Sequence, residues 1–221
     1  MQLSIIIPVY EDDHSLAKLL DDITRQGWDA EVLVVDGAAT AATEALACQF
    51  GCLYVQSNRS RGLQVRCGIE KARWDMCLVL HADSLVNRAM LTELHALSRM
   101  APVWGRFDIE IQGLGLIAWS MNVRSRLTKI CTGDQAMFFH KGLVDEVGGF
   151  PNLPLMEDVE ISKRLKASAS KSFVALHATV GTSPRRWRRN GVIRTVLSMW
   201  SYRLRYFMGV DSQDLYRSYY R

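Results

Sequence analysis

The stretch Met76-Cys77-Leu78-Val79-Leu80-His81-Ala82-Asp83-Ser84 decides how the chain is read. Its apolar run, Met76 to Leu80, predicts a buried strand that ends on a histidine and a carboxylate two positions apart. A strand of a parallel sheet is covered on both faces, so its sequence is continuously apolar and polar side chains gather where it leaves the sheet. That carboxyl edge is where open α/β sheets bind ligands. In an extended stretch His81 and Asp83 would point the same way, and they are a candidate pair for one divalent cation or one phosphate-bound cation. The competing reading is a surface loop with two ordinary polar residues.

Towards the N-terminus the same pattern repeats. Residues 3–9 are an apolar, β-branched run containing Pro8 and followed by Tyr10-Glu11-Asp12-Asp13. A helix is predicted over 15–26, with Leu16, Leu19, Leu20 and Ile23 on one face. A strand over 30–35 ends on Asp36-Gly37, and a helix over 43–50 and a short strand over 53–56 follow. Strand alternating with helix implies a parallel sheet with right-handed crossovers, which sets Asp12, Asp36 and Asp83 on one edge. Next to that edge, Arg59, Arg61 and Arg66 accompany Ser60 and Gly62 and lead into a helix predicted over 64–73. Guanidinium groups beside a helix N-terminus suit a diphosphate; a solvated loop is the plainer alternative.

Towards the C-terminus a helix is predicted over 88–100, and the alternating residues 104–111 predict a half-exposed strand. A helix within 117–131, a turn and strand over 133–139 and a short helix ending at Gly148-Gly149 come next. Met156-Glu157-Asp158-Val159-Glu160 opens another helix, where a carboxylate is electrostatically favoured. Capping accounts for one acid; three in four residues make one of them a candidate catalytic group. After a last strand over 173–179, the segment from Arg185 to Arg205 holds seven arginines and no acid, which points to an anionic partner. It includes a basic amphipathic helix over 192–208, compatible with an anionic membrane surface, with a second copy of the chain, or with packing on its own sheet.

Bulk properties narrow the class. The 221 residues, 48% hydrophobic and 23% charged with a net charge of +4, fit one domain with a full core. The five cysteines are odd in number and lack a C-x-x-C pair, which predicts reduced thiols of a cytoplasmic protein. The first residues lack the basic leader of a signal peptide, and no apolar run reaches the roughly 18 residues of a membrane span. Stacking aromatics interleaved with basic residues along a strand are absent, which argues against nucleic acid. Tyr10-Glu11-Asp12-Asp13 is acidic where nucleotidyl transfer would want a glycine-rich basic loop.

Taken in order, Ile5-Ile6-Ile7-Pro8-Val9-Tyr10, Val34-Val35-Asp36-Gly37, Leu80-His81-Ala82-Asp83, Gly133-Asp134-Gln135, Met156-Glu157-Asp158 and Arg185-Arg186-Trp187 resemble the family 2 glycosyltransferases of GT-A fold. More narrowly, they are similar to a small bacterial subgroup whose metal motif reads L-H-A-D. The resemblance runs from Leu3 to about Val210. It implies a mixed, mainly parallel α/β sheet flanked by helices, with a GT-A domain over 1–190 and a basic amphipathic helix and tail over 191–221. It implies inverting transfer of a sugar from a UDP- or GDP-linked donor to a small or lipid-linked acceptor, at the cytoplasmic side of a membrane. By position, Asp12 and Asp36 would hold the base and ribose, and Arg61, Arg66, Arg185, Arg186 and Trp187 would meet the diphosphate. Asp83, with His81, would hold Mn2+ or Mg2+. Asp158 would be the general base, with Glu157 beside it, and Asp134 and Gln135 would stand at the acceptor side.

The chemistry agrees with those roles. An acceptor hydroxyl is a poor nucleophile near neutral pH, so a carboxylate that takes its proton helps. The departing diphosphate gathers negative charge, which a cation and arginines lower in energy. Glu11, Ala41 and Arg66 depart from the family pattern, and all three fall on the donor side. The rival expectation is therefore a non-catalytic nucleotide-sugar binding or scaffold protein.

Overall fold

The computed structural model describes residues 2–97, 102–182 and 191–219. Its first half is the expected alternation: β1 (Leu3–Val9), α1 (Asp13–Arg25), β2 (Glu31–Asp36), α2 (Ala41–Gln49), β3 (Leu53–Gln56), α3 (Arg61–Lys71) and β4 (Met76–Val79). These four strands are parallel, so the ends of β1, β2 and β4 share one edge. The second half adds β5 (Ser84–Leu85), α4 (Arg88–Leu97), β6 (Trp104–Ile111), α5 (Gly115–Thr128), β7 (Met137–His140), α6 (Lys141–Glu146), α7 (Glu157–Ala169) and β8 (Phe173–Thr182). Two further helices follow, α8 (Val192–Phe207) and α9 (Ser212–Tyr219).

Among the described residues the strands form one sheet in the order β3-β2-β1-β4-β7-β6-β8-β5. It is mixed: β7 runs antiparallel to both neighbours, and β5 runs antiparallel to β8. Successive residues of β1 explain why its sequence is apolar without a break. Ile5, Ile7 and Val9 pack with Leu16, Leu19 and Ile23 of α1, whereas Ile6 packs on the other face with Val65 and Ile69 of α3 and Ile161 of α7. Each such side chain contributes roughly 1.5–3 kcal/mol when fully buried.

Pro8 sits in this interior strand at little cost. The β1–β4 pairing ends at Ile6 opposite Val79, so the missing N–H falls beyond the ladder, where β1 runs past its neighbour and a cleft opens.

Three expectations are corrected. Strand β6 is not half-exposed: it lies between β7 and β8, and Arg106 is 0% exposed. Arg106 and Asp108 mimic a wet face but lie under α5, Arg106 and Arg126 both pairing with Asp108, and of the polar residues of β6 Glu110 is the exposed one. The backbone at 81–84 is not extended, because reaching β5 needs a reversal, and Ser84 N–H donates to the His81 carbonyl at 3.0 Å. The extended backbone expected for the His81 and Asp83 pair is therefore replaced by a turn, which still leaves both residues bordering one cavity. Finally, a further helix, α9, follows the predicted last one, with Ser212 and Leu215 buried.

Candidate active site

A cavity of about 300 Å³ opens at the carboxyl edge between β1 and β4. The end of β1 supplies Tyr10 and Asp12, the start of α3 supplies Arg59, Ser60, Arg61 and Gln64, and the turn after β4 supplies His81 and Asp83. Gln64 is 4% exposed, and its Nε2 donates to the Val9 and Val35 carbonyls at 2.7 and 2.8 Å. It thus fixes the spacing of the β1 and β2 ends. The Arg59 guanidinium lies 4.1 Å from the Tyr10 ring centre and 5.9 Å from that of Tyr216 on α9, forming a stacked wall.

A second cavity of about 110 Å³ adjoins the first, and Arg61 and His81 line both. Its walls are the turn at Gly133 and Asp134, the start of α7 from Met156 to Val159, and Met199, Tyr202 and Arg203 of α8, with Tyr219 of α9. Met156 carries φ +67, a left-handed conformation that costs a non-glycine residue about 1–2 kcal/mol. It turns the chain so that α7 opens directly on Glu157 and Asp158.

The three acids of this helix start divide. The Asp158 carboxylate accepts from Gly133 N–H at 2.8 Å and from Val159 N–H at 2.7 Å, and it faces the second cavity. Glu157 is 2% exposed and 3.6 Å from Arg61 Nη1. Burial pushes its carboxyl up to about 7, with the Arg61 charge opposing and Asp158 reinforcing the shift. Glu160 turns away towards α8 and accepts from Tyr206 Oη at 2.5 Å. Burial acts to raise it, yet hydrogen bonds from Tyr206, Arg164 and Lys163 hold it down at about 2.

His81 Nδ1 lies 3.2 Å from Asp134 Oδ1, and its ring presses on Gly133, where a Cβ would stand 2.4 Å from Nε2. Only glycine admits that approach. Asp83 remains half-buried at the first cavity, and among the described residues its carboxylate meets no hydrogen-bond or ion-pair partner.

Of the predicted residues, Asp12, Arg61, His81 and Asp83 border the first cavity, and Asp134, Glu157 and Asp158 border the second. Asp36 does not: it is 0% exposed, and its oxygens accept from Ala38 N–H and Thr40 N–H, both at 2.8 Å, and from Tyr54 Oη at 3.1 Å. Arg66 lies on the outer surface of α3 with Glu70, 3.1 Å from its Nε. Gln135 is buried, its amide donating to Ser125 Oγ at 2.9 Å. Arg185, Arg186 and Trp187 lie outside the described residues. Residues that the sequence reading did not assign include Gln64, Tyr202, Tyr216 and Tyr219; the tyrosines gathered near the C-terminus were the available signal.

A divalent cation fits this donor set in one way. Among the described residues no three His, Cys, Asp or Glu side chains come together. Asp83 supplies one carboxylate, with His81 close by but engaged with Asp134. Magnesium and manganese are commonly held by one or two carboxylates plus substrate phosphates, so the remaining ligands would come from a bound diphosphate.

Residues 4–149 match the family model described as glycosyl transferase family 2. Glycosyltransferase AglE of Haloferax volcanii is 26% identical over 205 residues, covering 83% of this chain and 67% of that protein. Staphylococcus aureus TarS superposes with a TM-score of 0.70 at 18% identity, over 83% of this chain and 37% of its own. The mannosyltransferase PcManGT of Pyrobaculum calidifontis, solved with GDP-Man and Mn2+, gives 0.63 at 18% identity, over 81% of this chain and 56% of its own. This chain therefore spans well under two thirds of those two solved proteins, and what it shares with them is the α/β, GT-A fold. Since the family model covers more than half of the residues, the chain belongs to glycosyl transferase family 2.

Proposed function

We propose that the chain transfers a sugar with inversion from a UDP- or GDP-linked donor to an acceptor hydroxyl, with Mn2+ or Mg2+ bound alongside the donor. The observation that carries this reading is the pair of cavities meeting at Arg61 and His81, one edged by Asp12, Asp83 and Arg59, the other by the Asp158 carboxylate. In support, the PcManGT neighbour is complexed with GDP-Man and Mn2+.

In this reading the nucleotide occupies the first cavity, its base against Tyr10 and its diphosphate towards Arg61 and Asp83. The cation, when bound, neutralises charge on the departing diphosphate. Arg61 faces the same oxygens from α3. The acceptor hydroxyl enters the second cavity, where Asp158 takes its proton; the Gly133 and Val159 N–H groups fix the carboxylate for that task. Single displacement needs no covalent intermediate. Asp36 acts indirectly by holding the 38–40 turn, and Gln135 by anchoring the Gly133 turn to α5. Arg185, Arg186 and Trp187 keep the role that the family resemblance implies.

Calorimetric titration of UDP and GDP, with and without Mn2+, tests this. One nucleotide should bind, tighter with Mn2+, and Asp83→Ala should abolish the metal dependence while leaving Tm within about 2 °C, as for a half-buried side chain with no partner to lose among the described residues. Mn2+ without nucleotide should bind weakly, because a single free carboxylate is a poor site. Failure of both nucleotides to bind would favour the scaffold alternative.

A further inference from the structure

Helix α8 has two unlike faces. Thr195, Val196, Met199, Tyr202 and Tyr206 turn inward, Val196 and Met199 packing on Ile109, Ile111 and Met121, and Tyr206 hydrogen-bonding Glu160. Ile193, Leu197, Trp200, Leu204 and Phe207 form the opposite stripe at helical spacing, and all are exposed, Trp200 to 71%. The neighbouring helix α5 adds exposed Leu116 and Trp119. An apolar surface of this extent calls for an occupant.

Charge selects it. Between Glu160 and Asp211 the chain has no acidic residue at all but eleven lysines and arginines, Arg194, Arg203 and Arg205 among them on α8 itself. A second copy docked face to face would set arginine against arginine, because a two-fold contact brings the same patch together. A protein partner would need an acidic apolar groove, whereas an anionic bilayer supplies both the negative surface and the apolar interior over any length of helix.

We propose that α8 is an interfacial helix that seats the protein on an anionic lipid bilayer, its exposed stripe among the acyl chains and the exposed Arg194 among the headgroups. The inward face of the same helix contributes Met199, Tyr202 and Arg203 to the cavity beside Asp158. Resting on the glycosyl-transfer reading above, this selects an amphiphilic acceptor whose hydroxyl is presented at the membrane surface.

The test is sedimentation of the full chain with phosphatidylcholine vesicles, with and without phosphatidylglycerol, beside Leu197→Ser/Trp200→Ser. Binding should require the anionic lipid, weaken as salt rises, and fall by about tenfold or more in the double variant. The substituted residues are exposed and border neither cavity, so the variant should keep the wild-type melting temperature and nucleotide binding. A folded, nucleotide-binding protein that ignores anionic vesicles would overturn the membrane proposal; light scattering showing a dimer that the variant dissociates would assign the face to a second copy. Vesicle binding by a chain that binds no nucleotide would leave α8 interfacial and sink the transferase reading instead.

Discussion

Asp158→Asn should lower turnover by a factor of about a hundred to ten thousand while nucleotide affinity stays within about twofold of the original. The amide keeps an oxygen for the Gly133 N–H, so the turn that carries Asp134 and abuts His81 holds its place. What is lost is the basic oxygen in the second cavity. The loss should appear in kcat and kcat/KM together, because the interaction forms only as the acceptor proton moves. Single-turnover transfer, with nucleotide binding measured calorimetrically on the same sample, separates the two effects. A variant that transfers at the normal rate would transfer the base role elsewhere, Glu157 being the adjacent carboxyl.

The second large effect is structural. At Gly62, the second residue of α3, a Cβ would stand 2.3 Å from the Pro151 carbonyl oxygen, 2.5 Å from that of Leu153 and 2.7 Å from the Leu153 nitrogen. These are backbone atoms, one of which already accepts from Gly62 N–H at 3.1 Å, so no side chain can swing aside. Gly62→Ala should therefore cost roughly 3 kcal/mol, a fall of about 6–12 °C in Tm for a chain of this size. The segment it displaces leads to Met156 and Glu157, so activity should drop even where the variant is folded. Gly115→Ala is the control: it opens α5 with nothing within 4 Å of the added Cβ. Equal melting temperatures for the two variants would show that the 151–153 backbone yields.

Much of this architecture could be read before any coordinates. The strand-helix alternation, the amphipathic face of α1 and the parallel edge carrying Asp12 and Asp83 all follow from short-range periodicity, and the structure has them. The failures share one cause: periodicity reports that a residue is polar, not how it is satisfied. Asp36 reads as a ligand-binding carboxylate, and the structure shows it buried, its oxygens accepting from its own loop and Tyr54. Arg66 looked like part of a phosphate cluster, yet five residues and about one and a half turns beyond Arg61 it faces solvent and Glu70. Arg106 looked exposed because nothing local shows that α5 will cover β6. Tyr216 and Tyr219 reach the two cavities only because Ser212 and Leu155 fasten α9 across the chain, Ser212 Oγ donating to the Leu155 carbonyl at 2.6 Å.

The 3.6 Å contact between Arg61 and the buried Glu157 links ligand occupancy to protonation. Arg61 offsets burial at that carboxyl, which even with the guanidinium in place stands near 7. A diphosphate that draws the guanidinium into the first cavity removes the offset, so the carboxyl becomes harder to ionise and its pKa climbs further. Near neutral pH the bound state then holds more protons than the free state, and affinity must decrease as pH rises through 7. Nucleotide titrations in buffers of different ionisation enthalpy should accordingly give different apparent heats, from which a fractional proton uptake can be read. Heats independent of buffer would mean that Arg61 stays with Glu157. If uptake is found, the same carboxyl that burial makes reluctant to ionise is a proton store filled by the donor, immediately beside the group that must accept the next one.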